Sequence, residues 1–114
     1  MSKLQIEFCS MFSAFNLCEG KDLSSFKQAF NAFCEHLRQS GYLHSWRLWE
    51  RAYHEGYDTR FPDVGVILEM CFQDHQTSLH AWDYIEAGSE PIKTLHYAMY
   101  SQVRDAHFVL CNER

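Results

Sequence analysis

The chain of 114 residues is short of the residues that break regular structure, with only two prolines and five glycines. Low-complexity linkers and extended polyproline segments are thereby excluded. Positive charge is also scarce: ten Lys and Arg stand against fifteen Asp and Glu, and the formal charge is -5. The basic residues are dispersed rather than clustered, so there is no field to hold a phosphate backbone, and a nucleic-acid partner is not expected. No long apolar run is present, and the N-terminal "MSKLQIEF" goes straight into an alternating pattern. Neither a signal peptide nor a membrane span is expected, which places the chain in the cytoplasm.

Cysteine is present but unpaired in pattern. Cys9, Cys18, Cys34, Cys71 and Cys111 are odd in number, widely spaced and without a C-x-x-C pair. They read as reduced thiols used as small core residues rather than as a disulfide framework. Apolar residues, at 46% with 16% aromatic, are enough for a real core at this length, and one domain over residues 1–114 is expected.

Along the chain, the periodicity switches between two and 3.6. "KLQIEFCSMF" alternates, with Leu4, Ile6 and Phe8 on one side and Gln5, Glu7 and Cys9 on the other, which predicts a strand. "MFSAFNLCEG" then reads as an apolar connection that covers the end of the core or lids a pocket. Asp22 is the expected cap of a helix whose stripe is Leu23, Phe26, Phe30, Phe33 and Leu37 and which Gly41 closes. "YLHSWRLWERAYHE" and "VGVILEMCFQD" alternate on either side of "GYDTRFPD", predicting an antiparallel pair. Thr77 or Ser78 is expected to cap a helix through "LHAWDYIEA" that stops at Gly88. Ser89 is expected to cap "EPIKTLHYAMYSQV", with Pro91 in its first turn, and "DAHFVLCN" is the last strand.

The order β-α-β-β-α-β predicts an α+β, ferredoxin-like fold: a four-stranded antiparallel sheet with its helices on one face. The helix-facing layer is expected to hold Leu4, Ile6 and Phe8; Trp46, Leu48 and Ala52; Val64, Val66, Leu68, Met70 and Phe72; Phe108 and Leu110. The opposite face would carry Gln5, Glu7, Cys9, Arg47, Trp49, Arg51, Tyr53, Ile67, Glu69, Cys71, Gln73, His107, Val109 and Cys111. Charges of both signs among apolar side chains suit an interface better than open water or a monomer core. A homodimer through this bare face is therefore expected. Glu69, in the middle of an apolar strand, is expected to pair with Arg47 or Arg51, as a structural ion pair or as part of a ligand-contacting cluster.

Element order, the mixed bare face and the broken second helix "AWDYIEAGSEPIKTLHYAMYSQV" resemble the dimeric α+β barrels. That group includes antibiotic-biosynthesis-type monooxygenases, haem-degrading relatives and stress-responsive barrel proteins. The resemblance is one of pattern, without a diagnostic motif, and is to an uncharacterised branch. It implies two sheets packed face to face and a small apolar or aromatic ligand, with a cofactor-independent monooxygenase or isomerase, or a purely structural or regulatory dimer, as the alternatives. The haem-degrading set of Asn, Trp and His is not carried over: Trp82 with His96 is the sole echo, and Gln5 stands where an Asn would help.

Two places are candidates for a site. At the helix–sheet seam, His96 lies on the stripe Ile92, Leu95, His96, Met99 and Val103; it is either a core histidine or a proton-transfer group in a pocket flanked by Trp82, Tyr97 and Trp46. On the bare face, His107 could be oriented by Glu7 as an acid or base, beside Arg47, Arg51 and Glu69. The remaining histidines show no H-x-x-x-H spacing, and no phosphate loop, G-x-S-x-G elbow, flavin or nicotinamide fingerprint occurs, so neither a metal nor a cofactor is expected.

Overall fold

A computed structural model describes residues 7–58 and 60–114. The elements are β1 (Cys9–Leu17), α1 (Leu23–Gln39), β2 (Ser45–Glu50), β3 (Val66–Phe72), α2 (His75–Ala87), α3 (Ile92–Tyr100) and β4 (Val103–Asn112). The strands form one antiparallel sheet in the order β2-β3-β1-β4. This is the expected ferredoxin-like α+β arrangement, with the second helical segment split at Gly88 into α2 and α3.

Helix α1 follows its sequence closely. The Asp22 carboxylate accepts from the Ser25 amide at 2.7 Å, satisfying one orphan donor of the first turn. At the other end the Tyr42 amide reaches Leu37 O and the Gly41 amide reaches Arg38 O. Gly41 takes φ +84, the left-handed residue that such a double closure demands and that glycine adopts without a Cβ penalty. Phe26, Phe30, Phe33 and Leu37 are buried against Phe15 and the inner residues of β3. Helix α2 is capped by Asp74, whose Oδ1 accepts from both the amide and the hydroxyl of Thr77. Thr77 is thus inside the helix rather than its cap, as is Ser78, and the helix begins at His75, about one turn earlier than "LHAWDYIEA" suggests. Pro91, not Ser89, occupies the cap position of α3, where the Glu90 carboxylate accepts from the Thr94 amide and hydroxyl.

The first strand differs from expectation. Leu4, Gln5 and Ile6 lie outside the described residues, and β1 runs over "CSMFSAFNL": "CSMF" belongs to the expected strand, but the strand continues through "SAFNL", where a connection is expected. Its helix-facing side is Cys9, Met11, Ser13 and Phe15, paired in register with Phe72, Met70, Leu68 and Val66. Cys9 is therefore in the core, not on the bare face, and Phe8 is not part of the helix-facing row. The reason is central position: a strand with neighbours on both sides and apolar groups on both faces shows little amphipathic contrast, so the pattern upstream looked stronger.

Strand β2 ends at Glu50, and Ala52 and Tyr53 belong to an exposed connection rather than to the sheet. Arg51 explains the early stop. Its guanidinium turns into that connection and donates to Pro62 O at 2.7 Å and Val64 O at 3.2 Å. It pairs with Asp58 at 3.4 Å, over the rings of Tyr53 and Phe61. Val103 opens β4 instead of closing α3. A bulge between Ala14 and Asn16, with Asp105 at φ +57, flips the alternation of β4. As a result Val103, Ala106, Phe108 and Leu110 all stand on the helix side.

Candidate functional site

Register assembles the bare face row by row. Arg47, Glu69, Phe12 and Val109 lie side by side across β2, β3, β1 and β4. The next row is Ser45, Cys71, Ser10 and Cys111, and the one on the other side is Trp49, Ile67, Ala14 and His107. Four apolar side chains, Phe12, Val109, Trp49 and Ile67, thus surround one carboxylate and one guanidinium. Trp49 and Val109 are half exposed, at 50% and 55%.

Glu69 does not pair as expected. It is half-buried, and its Oε2 accepts from the Ser10 hydroxyl at 3.0 Å. Arg47 is its direct cross-strand neighbour, yet among the described residues no ion pair joins Glu69 to Arg47 or to Arg51. Arg51 is committed to the β2–β3 connection, as described above. Sequence pattern does not single out Ser10 as a partner, because its place opposite Cys71 follows only from the true register of β1.

These residues open onto a groove of about 420 Å³. Its floor is Ser10, Phe12, Glu69 and Cys71, and its walls include Phe8, His44, Trp46 and Arg47. The Phe8 and His44 rings face each other at 4.8 Å, and Cys111 and Glu113 close the β4 side. A smaller groove of about 330 Å³ runs past Trp46, Arg47 and Trp49 toward Lys27 and Asn31 of α1. Trp46 is held at this edge by its indole N–H, which donates to Asn31 Oδ1 at 3.1 Å. Volumes of this size match small-molecule sites, and the mixture of aromatic walls with a few polar groups is their usual composition.

The other candidates are dispersed. His96 is half-buried, with its ring 5.5 Å from those of Phe33 and Tyr100, and burial lowers its imidazole below the usual histidine value. Trp82 and Tyr97 do not flank it as a pocket wall; they are exposed at 53% and 73%, and Trp46 lies on the far edge strand. His107 is exposed on the bare face opposite Ala14. Glu7 sits at the other end of β1, 3.9 Å from Arg114, about 20 Å of strand away from His107. Glu7 therefore does not orient His107. Of the residues singled out beforehand, Trp46, Arg47 and Glu69 share one groove.

A family model matches residues 10–113. The chain belongs to this family of unknown function (DUF6614). No curated protein matches it significantly. Solved structures share its fold at low identity. A variant of SnoaB, a cofactor-independent oxygenase from Streptomyces nogalater, is 12% identical over 96% of this chain and 95% of its own, with a TM-score of 0.66. The hydroxynitrile lyase of Passiflora edulis is 9% identical over 96% of both chains, with a TM-score of 0.64. A dimeric ferredoxin-like protein of unknown function from Thermobifida fusca is 8% identical over 96% of this chain and 93% of its own, with a TM-score of 0.58. These likenesses extend over almost the full length of the DUF6614 chain and concern its fold.

Proposed function

We propose that this chain is a single-domain cytoplasmic protein that forms a homodimer through the bare sheet face and holds a small, largely apolar or aromatic molecule between the two sheets. The observation that carries the reading is the composition of that face: Phe12, Ile67, Trp49 and Val109 stand around Glu69 and Arg47 on the side away from α1, α2 and α3. A contiguous apolar patch rimmed by polar groups is the mark of an interaction surface. A groove already indented into it leaves room for a ligand once a second sheet closes over the top. Support for the dimer comes from fold neighbours described as dimeric ferredoxin-like proteins. The cytoplasmic placement is supported by five free cysteines and by the lack, among the described residues, of a helix long and apolar enough to cross a membrane.

The test is sedimentation at micromolar concentration together with a thermal-shift screen of small aromatic compounds. A species of twice the 13.5 kDa chain mass, raised in melting temperature by at least one aromatic class, is the expected result. A soluble monomer at all concentrations refutes the dimer, and a dimer that no compound stabilises leaves a packed, purely structural assembly as the better account.

A further inference from the structure

The groove is not merely apolar. Arg47 and Glu69 are nearest neighbours across β2 and β3, close enough for a bidentate pair, but the carboxylate is turned to Ser10 instead. One carboxylate oxygen is taken by the Ser10 hydroxyl, and the Ser10 bond is the one that Glu69 makes through its side chain among the described residues. Arg47 lines both grooves. An acceptor and a donor of opposite charge, on directly paired residues of β2 and β3, therefore line the same opening together with the aromatic rings of Phe8, Phe12, His44 and Trp46. Covering this face with a second sheet makes the separation costly unless something satisfies both groups, since a desolvated unpaired charge is strongly unfavourable.

We propose that the groove takes a zwitterionic aromatic molecule, with an ammonium on the free oxygen of Glu69, a carboxylate on Arg47 and the ring against Phe8, Phe12 and Trp46. This rests on the small-molecule reading above and adds to it the charged groups by which the ligand is recognised. Ser10 has a defined part: by donating to Oε2 it holds the carboxylate away from Arg47 and leaves each charge to the ligand. A guanidinium matches a carboxylate in planar, two-point fashion, and a charge-assisted bond to each end of the ligand would fix its direction in the groove. At about 420 Å³ the space suits two fused rings with a short charged arm.

Four probes of one ring system separate the contributions: indole, tryptamine, indole-3-propionate and free L-tryptophan, titrated by calorimetry into the dimer at physiological salt. Affinity is expected to rise from indole to either singly charged probe and again to L-tryptophan, by about five- to twentyfold for each matched group. Glu69→Gln should erase the increment of the ammonium and spare that of the carboxylate; Arg47→Gln should do the reverse. The probe series on the unaltered protein stands even if a variant folds poorly. Binding of indole with no gain from either charged group overturns the inference and leaves the aromatic-ligand reading intact. Failure of all four to bind a chain that still sediments as a dimer also overturns the inference, while the aromatic-ligand reading falls only if the wider thermal-shift screen finds no stabilising compound.

Discussion

His96 and Arg51 show how surroundings reassign a residue that the sequence makes look chemical. His96 has no hydrogen-bonding partner among the described residues and rests between Phe33 and Tyr100, so its charged form is the one disfavoured by folding. Its folded pKa lies below the ordinary 6.5, and between those two values the unfolded chain binds more protons. The stabilisation due to neutral His96 is complete above pH 6.5 and is lost as pH falls through that window. Urea denaturation at pH 7.5 and pH 5.5 should show the wild type losing stability on the acid side, and His96→Leu should reduce the loss. An unchanged pH dependence in the variant would mean that another group is responsible. Strand alternation alone makes Arg51 a partner for Glu69. Alternation, however, says nothing about where a strand stops, and two backbone carbonyls with a carboxylate nearby outcompete a single cross-strand contact.

At the scale of elements, legibility followed amphipathic contrast. Helix α1, with five buried positions and a capping aspartate, was readable to within a residue or two, as was β3, whose Val66, Leu68, Met70 and Phe72 all face the core. Strand β1 was not, because Phe12 and Ala14 on its open face are as apolar as Met11 and Ser13 on its covered face. The register of the whole bare face depends on β1, so Ser10 was out of reach while Arg47, Trp49, Ile67, Glu69, His107 and Val109 were not. The capping of α2 was misplaced by three residues for a simpler reason: Asp74 follows an apolar strand with only Gln73 between, and reads as its tail. Asp74 carries a testable consequence. Hydrogen bonds from Thr77 hold its carboxyl below the usual 3.8, so the cap stabilises the fold above that pH and fails as pH drops through the folded value. Asp74→Ala should fray the first turn, raising amide exchange at His75–Ser78 at pH 7, whereas Asp74→Asn should leave it largely protected. Equal protection in all three proteins would show that packing, and not the cap, holds the helix start.

For the whole molecule the question is what covers the sheet. Helices α1, α2 and α3 lie on one side, the chain is acidic overall, and the other side presents Phe12, Ile67, Trp49 and Val109. Val109 discriminates best, because in the single chain it is more than half exposed, on an edge strand, opposite Phe12. If the chain works alone, Val109→Asp is a surface substitution and should change stability by no more than about 0.5 kcal/mol. If a second sheet covers it, the same change buries an unpaired carboxylate, costs on the order of several kcal/mol of association free energy, and should produce a folded monomer at micromolar concentration. The wild type should then melt at a temperature that rises with protein concentration, and Val109→Asp at one that does not. Sedimentation and melting across a hundredfold range of concentration give the answer. A Val109→Asp protein that remains as dimeric as the wild type would move the interface away from this face and, with it, the lid over the Glu69 groove.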